Sequence, residues 1–136
     1  MLSRPLPWFL CVVAWFTLLF YLSSRRMPEI PGPEIPNVDK IIHCLYFAGG
    51  ATCLYVGLRL KYPAKKAGFA FGAAVLFCAI IGLGDEFHQT FTPGRMGNDP
   101  LDWMADVAGG FLGAGIGSLL HGWLKTKLLV QPAVSR

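Results

Sequence analysis

Charged residues are scarce in this sequence. Asp, Glu, Lys and Arg make up 15% of its 136 residues, whereas 54% are hydrophobic, and the mean hydropathy is +0.48. A helix of a soluble domain needs a polar face, and the long apolar runs of this chain have none. The composition therefore excludes an ordinary soluble domain and indicates an integral membrane protein.

The sequence also lacks paired cysteines and local metal-binding motifs. Its 4 cysteines, Cys11, Cys44, Cys53 and Cys78, lie inside apolar runs without CxxC or CxxH spacing. They are interpreted as small buried hydrophobic residues rather than disulfide partners or zinc ligands. Because no HExxH or comparable spacing is present either, we predict no bound metal and no cofactor.

Four apolar stretches are long enough to cross a bilayer as helices. They cover about residues 6–23, 39–60, 67–84 and 101–124, which predicts an all-α bundle of four transmembrane helices in a single domain over residues 1–136. A cleaved signal peptide is the alternative for the first stretch. Bulky residues reach Leu22 and no small-residue cleavage site follows, so a retained helix is favoured. Asn37 or Asp39 is available as the N-cap of the second helix.

Two loops on one side of the predicted bundle differ in character. Residues 25–38 contain four prolines, which predicts an extended connector that is either a flap over the membrane face or a stiff linker. Residues 85–100 form the other outer loop, which is polar.

Small residues recur every four positions in the fourth stretch, at Ala105, Gly109, Gly113 and Gly117. Helices in lipid associate by close backbone approach. This stripe therefore predicts a tightly packed neighbouring helix.

The distribution of Lys and Arg predicts the orientation in the membrane. Eight of the 12 lie at the N-terminus, in the 59–66 loop and in the C-terminal tail, and four lie on the opposite side. The positive-inside rule then places both termini in the cytoplasm. All 8 acidic residues lie on or next to the outer side. The basic charge therefore belongs to cytoplasmic loops, which argues against a nucleic-acid partner.

Three predicted helix ends meet at the outer side: the start of the second helix, the end of the third and the start of the fourth. Ionisable groups beside a membrane span are costly without a partner, so they are candidates for a functional site. The candidate ligand-binding residues are Asp39, Lys40, His43, Asp85, Glu86, His88, Gln89, Arg95, Asp102 and Asp106.

The start of the fourth helix carries three aspartates with different interpretations. Asp99 followed by Pro100 is typical of a helix N-cap and its first residue. Asp102 suits either the N3 position of a capping box or a functional site. Asp106 lies a turn deeper than a cap reaches, which favours a role in organising a site.

Asp85 and Glu86 are the residues that helix structure explains least. Negative charge is disfavoured at a helix C-terminus, so the two carboxylates need a cation unless they are solvated beyond the helix end. Lys40 and His43 are the predicted partners. Asp85, Glu86 and His43 are also the candidates for any catalytic role.

The remaining candidates have two interpretations each. Arg95, in a Pro-Gly-Arg turn, either pairs with Asp85 or Asp102 or binds a carboxylate or phosphate ligand. His43 either bonds to Asp39 or a backbone carbonyl or belongs to the site. A histidine among carboxylates can bind a divalent metal, for which Asp85, Glu86 and His88 are weak candidates.

Four motifs together resemble the VanZ-like membrane proteins. They are Asp-Lys-x-x-His at 39–43, Asp-Glu-x-x-Gln at 85–89, Phe-x-Pro-Gly-Arg at 91–95, and Asp-x-x-x-Asp at 102–106 followed by Gly109 and Gly113. Asp106 departs from the pattern, because many members have Asn there. The resemblance implies a small four-helix membrane protein, associated in the name-giving member with low-level resistance to the glycopeptide teicoplanin. It implies no biochemical activity.

The leading hypothesis is a cell-envelope protein whose outward-facing pocket binds an anionic or lipid-linked head group, of a cell-wall precursor or a phospholipid. Arg95, Lys40 and His43 would meet the anion, and such binding would affect glycopeptide susceptibility. The alternative is a membrane hydrolase or transferase acting on lipid-linked phosphates, with Asp85 or Glu86 as acid, base or metal ligand. An ion-coupled transporter is disfavoured, because the polar groups lie near only one face. Membrane lipids are the predicted partners, and the sequence leaves open whether the protein is a homo-oligomer.

Overall fold

The computed structural model of the protein describes residues 2–26 and 37–129. Four α-helices occupy most of this part of the chain: α1 (Pro5–Ser23), α2 (Val38–Lys61), α3 (Ala67–Gln89) and α4 (Pro100–Leu129). Each helix is long and apolar enough to cross a membrane, and the described residues form no strand. The predicted all-α fold of four potential transmembrane helices is confirmed. The predicted flap or linker falls largely on residues 27–36, which lie outside the described residues.

One end of the bundle collects the polar residues. There α1 and α3 end and α2 and α4 begin, and we call it the polar end. Asn37 occupies the N-cap position of α2 with a positive φ of 60°, but its side chain makes no capping hydrogen bond. At the opposite end, where residues 62–66 join α2 to α3, the Arg59 side chain donates a hydrogen bond to the Lys65 carbonyl.

The third helix continues past Gly84, where the sequence predicted its end. It extends to Gln89, so the residues from 85 to 89 are helical rather than part of the outer loop. No proline lies between Gly84 and Pro93, and the Gln89 side chain donates a hydrogen bond of 2.8 Å to Asp85 one turn earlier. Such i,i+4 pairs support a helix. Asp85, Glu86 and Gln89 are consequently held on a rigid element.

The predicted stripe of small residues brings α4 into close contact with α2. A β-carbon on Gly109 would collide with the Cys44 carbonyl, and one on Gly113 would collide with the Ala48 carbonyl. The Thr52 hydroxyl donates a hydrogen bond of 3.0 Å across the interface to the Gly113 carbonyl. These glycines therefore allow the backbones of the two helices to approach, as predicted, and α2 and α4 share the most extensive contact in the bundle.

The first helix is attached mainly to α2 through an aromatic pair. Trp15 donates a hydrogen bond of 3.0 Å to the Tyr46 carbonyl, and the Tyr46 hydroxyl donates one of 2.9 Å to the Trp15 carbonyl. The Trp15 ring occupies the space that a side chain at Gly50 would need. Because α1 contacts α3 only slightly, space is left between α1 and the other helices near the polar end.

Replacing Gly113 by Ala should destabilise the bundle by about 1–3 kcal/mol, the usual cost of overpacking a close contact. The added β-carbon meets the Ala48 carbonyl and comes within 2.7 Å of the Ala51 β-carbon. Gly115→Ala is the matched control, because a β-carbon there has nothing within 4 Å. The stability of both variants is measured as the free energy of unfolding in mixed micelles. Equal losses at the two positions would contradict the assignment of Gly113 to the interface.

Candidate functional site

Lys40 joins the start of α2 to the start of α4. Its ammonium lies 2.9 Å from Asp39, 2.6 Å from Asp99 and 2.8 Å from Asp102. One cation thus serves three carboxylates, through hydrogen bonds to Asp39 and Asp99 and an ion pair with Asp102. The prediction that Lys40 pairs with Asp85 or Glu86 is therefore wrong, because the closer carboxylates of α4 and of its own helix take its donors.

Asp99 caps α4 as predicted. Its Oδ1 accepts a hydrogen bond of 2.8 Å from the Leu101 amide, the second amide of the helix. The Lys40 ammonium, followed by this backbone donor, holds the pKa of Asp99 below its ordinary value. The capping-box interpretation of Asp102 is wrong, because the Asp99 amide donates instead to Glu86 Oε2 at 2.7 Å and Asp102 pairs with Lys40.

His43 forms a buried pair with Asp106. Its Nδ1 lies 2.9 Å from Asp106 Oδ1, and the aspartate side chain is fully buried. His43 is thus bonded across the α2–α4 interface to Asp106, so the prediction that it pairs with Asp85 or Glu86 is wrong. The alternative of a bond to Asp39 is not found either, because Asp39 pairs with Lys40. Asp106 therefore fixes which way the imidazole ring faces.

The last turns of α3 bring two buried carboxylates to the same region. Asp85 is 7% exposed and Glu86 2% exposed, and Gln89 is buried beside them. Asp85 accepts the hydrogen bond from Gln89, whereas Glu86 holds the Asp99 amide and thereby ties the end of α3 to the start of α4. The second oxygen of Glu86, Oε1, is buried and has no hydrogen-bond partner among the described residues.

His88 lies apart from these carboxylates, on the side of α3 that faces α1. Its Nε2 is 3.0 Å from the Ser24 hydroxyl, and its ring lies 4.7 Å from that of Phe20. Asp85, Glu86 and His88 consequently do not converge as a set of metal ligands. Within the described ranges, the histidine and carboxylates that do converge are His43, Glu86 and Asp102.

A cavity of about 310 Å³ opens between α1, α2 and the polar end of α3. Leu19, Leu22, Ile42, Tyr46 and Phe47 form its apolar wall, and its polar lining consists of Ser23, Arg25, Arg26, His43, Asp85 and Arg95. A type II turn carries Arg95 to this cavity: the Arg95 amide donates to the Thr92 carbonyl at 3.1 Å, and Gly94 has a φ of 79°.

A second cavity, of about 380 Å³, lies between α1 and α3. Leu19 and Asp85 line both cavities, so the Asp85 carboxylate stands where the two spaces meet. Phe16, Phe20, Ile80 and Ile81 make the second cavity largely apolar. Both spaces follow from the weak contact between α1 and α3.

A family model described as VanZ/LLP1 matches residues 8–121. The chain belongs to the VanZ/LLP1 family. This confirms the resemblance given by the sequence motifs, and together with the four apolar helices it fits a multi-pass membrane protein. No curated protein and no solved structure matches the chain.

Three residues of this VanZ/LLP1 chain line the cavity of about 310 Å³ although sequence reasoning did not select them: Ser23, Arg25 and Arg26. Arg25 and Arg26 are two of the four Lys and Arg residues on the outer side of the predicted topology. Their position directly after the first helix, on the same side as Arg95, was the available signal. Lys40, by contrast, was selected but does not line the cavity.

Replacing Gly82 by Ala should disturb the His43–Asp106 pair. The new β-carbon would lie 2.5 Å from Asp106 Oδ2 and 2.9 Å from its β-carbon, whereas one on Gly84, two residues away, would have nothing within 4 Å. We expect Gly82→Ala to cost about 1–3 kcal/mol and to move the ¹⁵N chemical shifts of the His43 ring. Gly84→Ala should leave the shifts in place. Unchanged His43 shifts in both variants would show that Asp106 is not held as described.

Proposed function

We propose that this VanZ/LLP1 protein binds an anionic lipid head group at its polar end, in the cavity of about 310 Å³. The observation that carries the proposal is the presence of three arginines, Arg25, Arg26 and Arg95, in an otherwise largely apolar space. A guanidinium group binds phosphate through two parallel hydrogen bonds. The apolar wall suits the hydrocarbon chain to which such a head group is attached.

Within residues 2–26 and 37–129, the three arginines have donors that no side chain occupies, which are available to an anion. The Arg25 guanidinium lies 4.3 Å from the centre of the Tyr21 ring, and Arg26 donates through Nε to the Pro93 carbonyl at 3.4 Å. The buried Nε of Arg95 has no hydrogen-bond partner within residues 2–26 and 37–129. In the same ranges, the ion pairs of the protein involve none of the three.

This ligand set revises the one expected from the sequence. Arg95 and His43 keep their proposed roles because both line the cavity, whereas Lys40 is committed to three carboxylates. Arg25 and Arg26 take its place as anion ligands. Asp85 contributes a carboxylate to the same lining, where it would accept hydrogen bonds from hydroxyl groups of a sugar or glycerol.

The volume of the cavity favours a head group and the first part of its chain rather than a whole lipid. A volume of about 310 Å³ is at the lower end of the range for small-ligand sites, which is about 300–1,000 Å³. The adjoining cavity between α1 and α3 offers an apolar continuation past Leu19. Phospholipids and lipid-linked cell-wall precursors share this chemistry, a phosphate on a long hydrocarbon chain.

We also propose that the polar end faces outward in the bacterial inner membrane. The excess of Lys and Arg at the opposite end supports this orientation. An outward pocket for lipid-linked precursors would act on the side where glycopeptide antibiotics meet those precursors. An effect on glycopeptide susceptibility would follow from competition for the same ligand.

Removing the three arginines should abolish the retention of anionic lipid. The variant Arg25→Ala/Arg26→Ala/Arg95→Ala is compared with Lys65→Ala/Lys66→Ala/Lys127→Ala, which removes three exposed charges outside the polar end. A hydrogen bond to a charged group is worth about 1.5–3 kcal/mol, so we expect the arginine variant to bind more than about ten-fold more weakly. Native mass spectrometry measures bound phosphatidylglycerol, phosphatidylcholine and a polyprenyl pyrophosphate offered in equal amounts.

The lipid series separates the two sources of the head group. Preferential retention of the polyprenyl pyrophosphate identifies cell-wall precursors, and preference for phosphatidylglycerol identifies phospholipid. Equal retention of phosphatidylcholine and the two anionic lipids, or identical behaviour of the arginine and lysine variants, would refute an anion-binding pocket.

The orientation is tested with single cysteines in a background in which the four native cysteines are replaced. Met96 is 86% exposed at the polar end, and Lys65 is exposed in the loop between α2 and α3. In intact spheroplasts a membrane-impermeant maleimide should label Met96→Cys but label Lys65→Cys only after lysis. The reverse pattern would place the polar end in the cytoplasm.

A further inference from the structure

Three helices each bring one potential metal ligand to a common point. His43 comes from α2, Glu86 from α3 and Asp102 from α4, and one ligand atom of each lies within 4.8 Å of the others. All three residues are more than nine-tenths buried. Two ligands bound at about 2.1 Å to one ion stand about 3.4 Å apart at the tetrahedral angle and about 3.0 Å apart at the right angle of octahedral coordination. The most distant pair of ligand atoms therefore needs to close by up to about 1.4–1.8 Å to hold an ion.

One nitrogen of the His43 ring is already engaged by a buried carboxylate. Its Nδ1 lies 2.9 Å from Asp106 Oδ1, which leaves Nε2 as the nitrogen available to an ion. In proteins, a histidine that binds a metal through one nitrogen commonly donates the other N–H to a carboxylate, which fixes the tautomer and the ring. Asp106 supplies that carboxylate from a fully buried position.

Glu86 has a buried oxygen with nothing to bind it in the described part of the protein. Oε2 accepts the Asp99 amide, whereas Oε1 has no hydrogen-bond partner. The glutamate is only 2% exposed. A buried polar atom without a partner destabilises the fold, and more so when it belongs to a charged group. The free oxygen therefore points to a ligand that the protein itself does not provide.

The buried carboxylates around these ligands outnumber the cationic groups paired with them. Asp85, Glu86, Asp102 and Asp106 are all buried, yet within residues 2–26 and 37–129 the cationic groups paired with them are Lys40 and the His43 imidazole. Lys40 is already shared with Asp39 and Asp99. Burying a carboxylate without compensation costs several kcal/mol, and a divalent cation would supply the missing positive charge.

We infer that His43, Glu86 and Asp102 bind one divalent metal ion of the Mn²⁺ class, with Asp106 positioning the histidine. Carboxylates suit Mg²⁺, Ca²⁺ and Mn²⁺, whereas imidazole suits the transition metals. Mn²⁺ is a first-row transition metal that also suits carboxylates, so it accepts both ligand types. The sequence predicted no metal because it has no local metal-binding motif, and the three ligands are far apart in the chain. This site does not rest on the proposed lipid pocket, although His43 also lines the cavity.

Mn²⁺ titration of the purified full chain, without affinity tag and after removal of metals by a chelator, tests the site. Electron paramagnetic resonance of free Mn²⁺ measures binding, and spin-echo modulation of the bound ion detects an imidazole nitrogen. Mn²⁺ is used because thiolates favour softer metals and the chain has 4 cysteines. We expect saturation at a single ion per chain, with nitrogen coupling.

Variants assign the ligands. Loss of a partner of a ligand lowers metal affinity about 10–100-fold, so Glu86→Gln and Asp102→Asn, which remove ligands, should weaken binding by about 100-fold or more. His43→Asn should also remove the nitrogen coupling. The control His88→Asn changes a histidine that pairs with Ser24 and should bind as the parent does. The triple arginine variant should also keep the ion, which separates this site from the lipid pocket.

The unmodified protein alone can refute the inference, so the result does not depend on the folding of a variant. Absence of saturable Mn²⁺ binding, or bound Mn²⁺ without nitrogen coupling, would overturn the site. Equal loss of binding in His88→Asn and Glu86→Gln would also overturn it, since binding would then not depend on this set of ligands.

Discussion

The close approach of α4 to α2 is the constraint on which the rest of the structure depends. Hydrocarbon offers no hydrophobic force that would press helices together, so the backbones must approach until van der Waals contacts and hydrogen bonds hold them. Gly109 and Gly113 permit this against the carbonyls of Cys44 and Ala48. Toward the polar end, the facing surfaces of α2 and α4 change from small apolar residues to ionisable ones. Asp106 meets His43, and Asp102 meets Lys40.

This continuity explains how so many ionisable groups can be buried together. Helices packed at glycine distance leave no room for water between facing side chains, and an ionisable group beside a membrane span must then find a partner in the protein. Lys40 and His43 provide it from α2. The third helix is joined to these two through Glu86, which accepts a hydrogen bond from the backbone amide of Asp99, the N-cap of α4. The polar cluster is therefore also what connects α3 to the α2–α4 pair at this end.

The sequence predicted the features that depend on one helix at a time. The four helices follow from apolar length, the Asp99 cap follows from its neighbour Pro100, and the glycine stripe follows from a four-residue period. The partners of Lys40, His43 and Glu86 depend on how each helix is rotated about its axis and on the level along the bundle at which it begins. Local sequence patterns encode neither. Gly84 is an example. A glycine at this position is typical of a helix end, but α3 continues to Gln89, whose side chain donates a hydrogen bond to Asp85.

The cavity and the polar cluster have opposite charges, and His43 and Asp85 lie where they meet. An anionic head group drawn in by Arg25, Arg26 and Arg95 would face carboxylates behind them, which would repel it. A divalent ion held by His43, Glu86 and Asp102 would reverse that local field, because a bound cation is commonly the largest charge in its surroundings. The lipid pocket and the metal site arise from separate observations. Their charges are nevertheless complementary, so a metal in the cluster would strengthen the binding of phosphate in the cavity beside it.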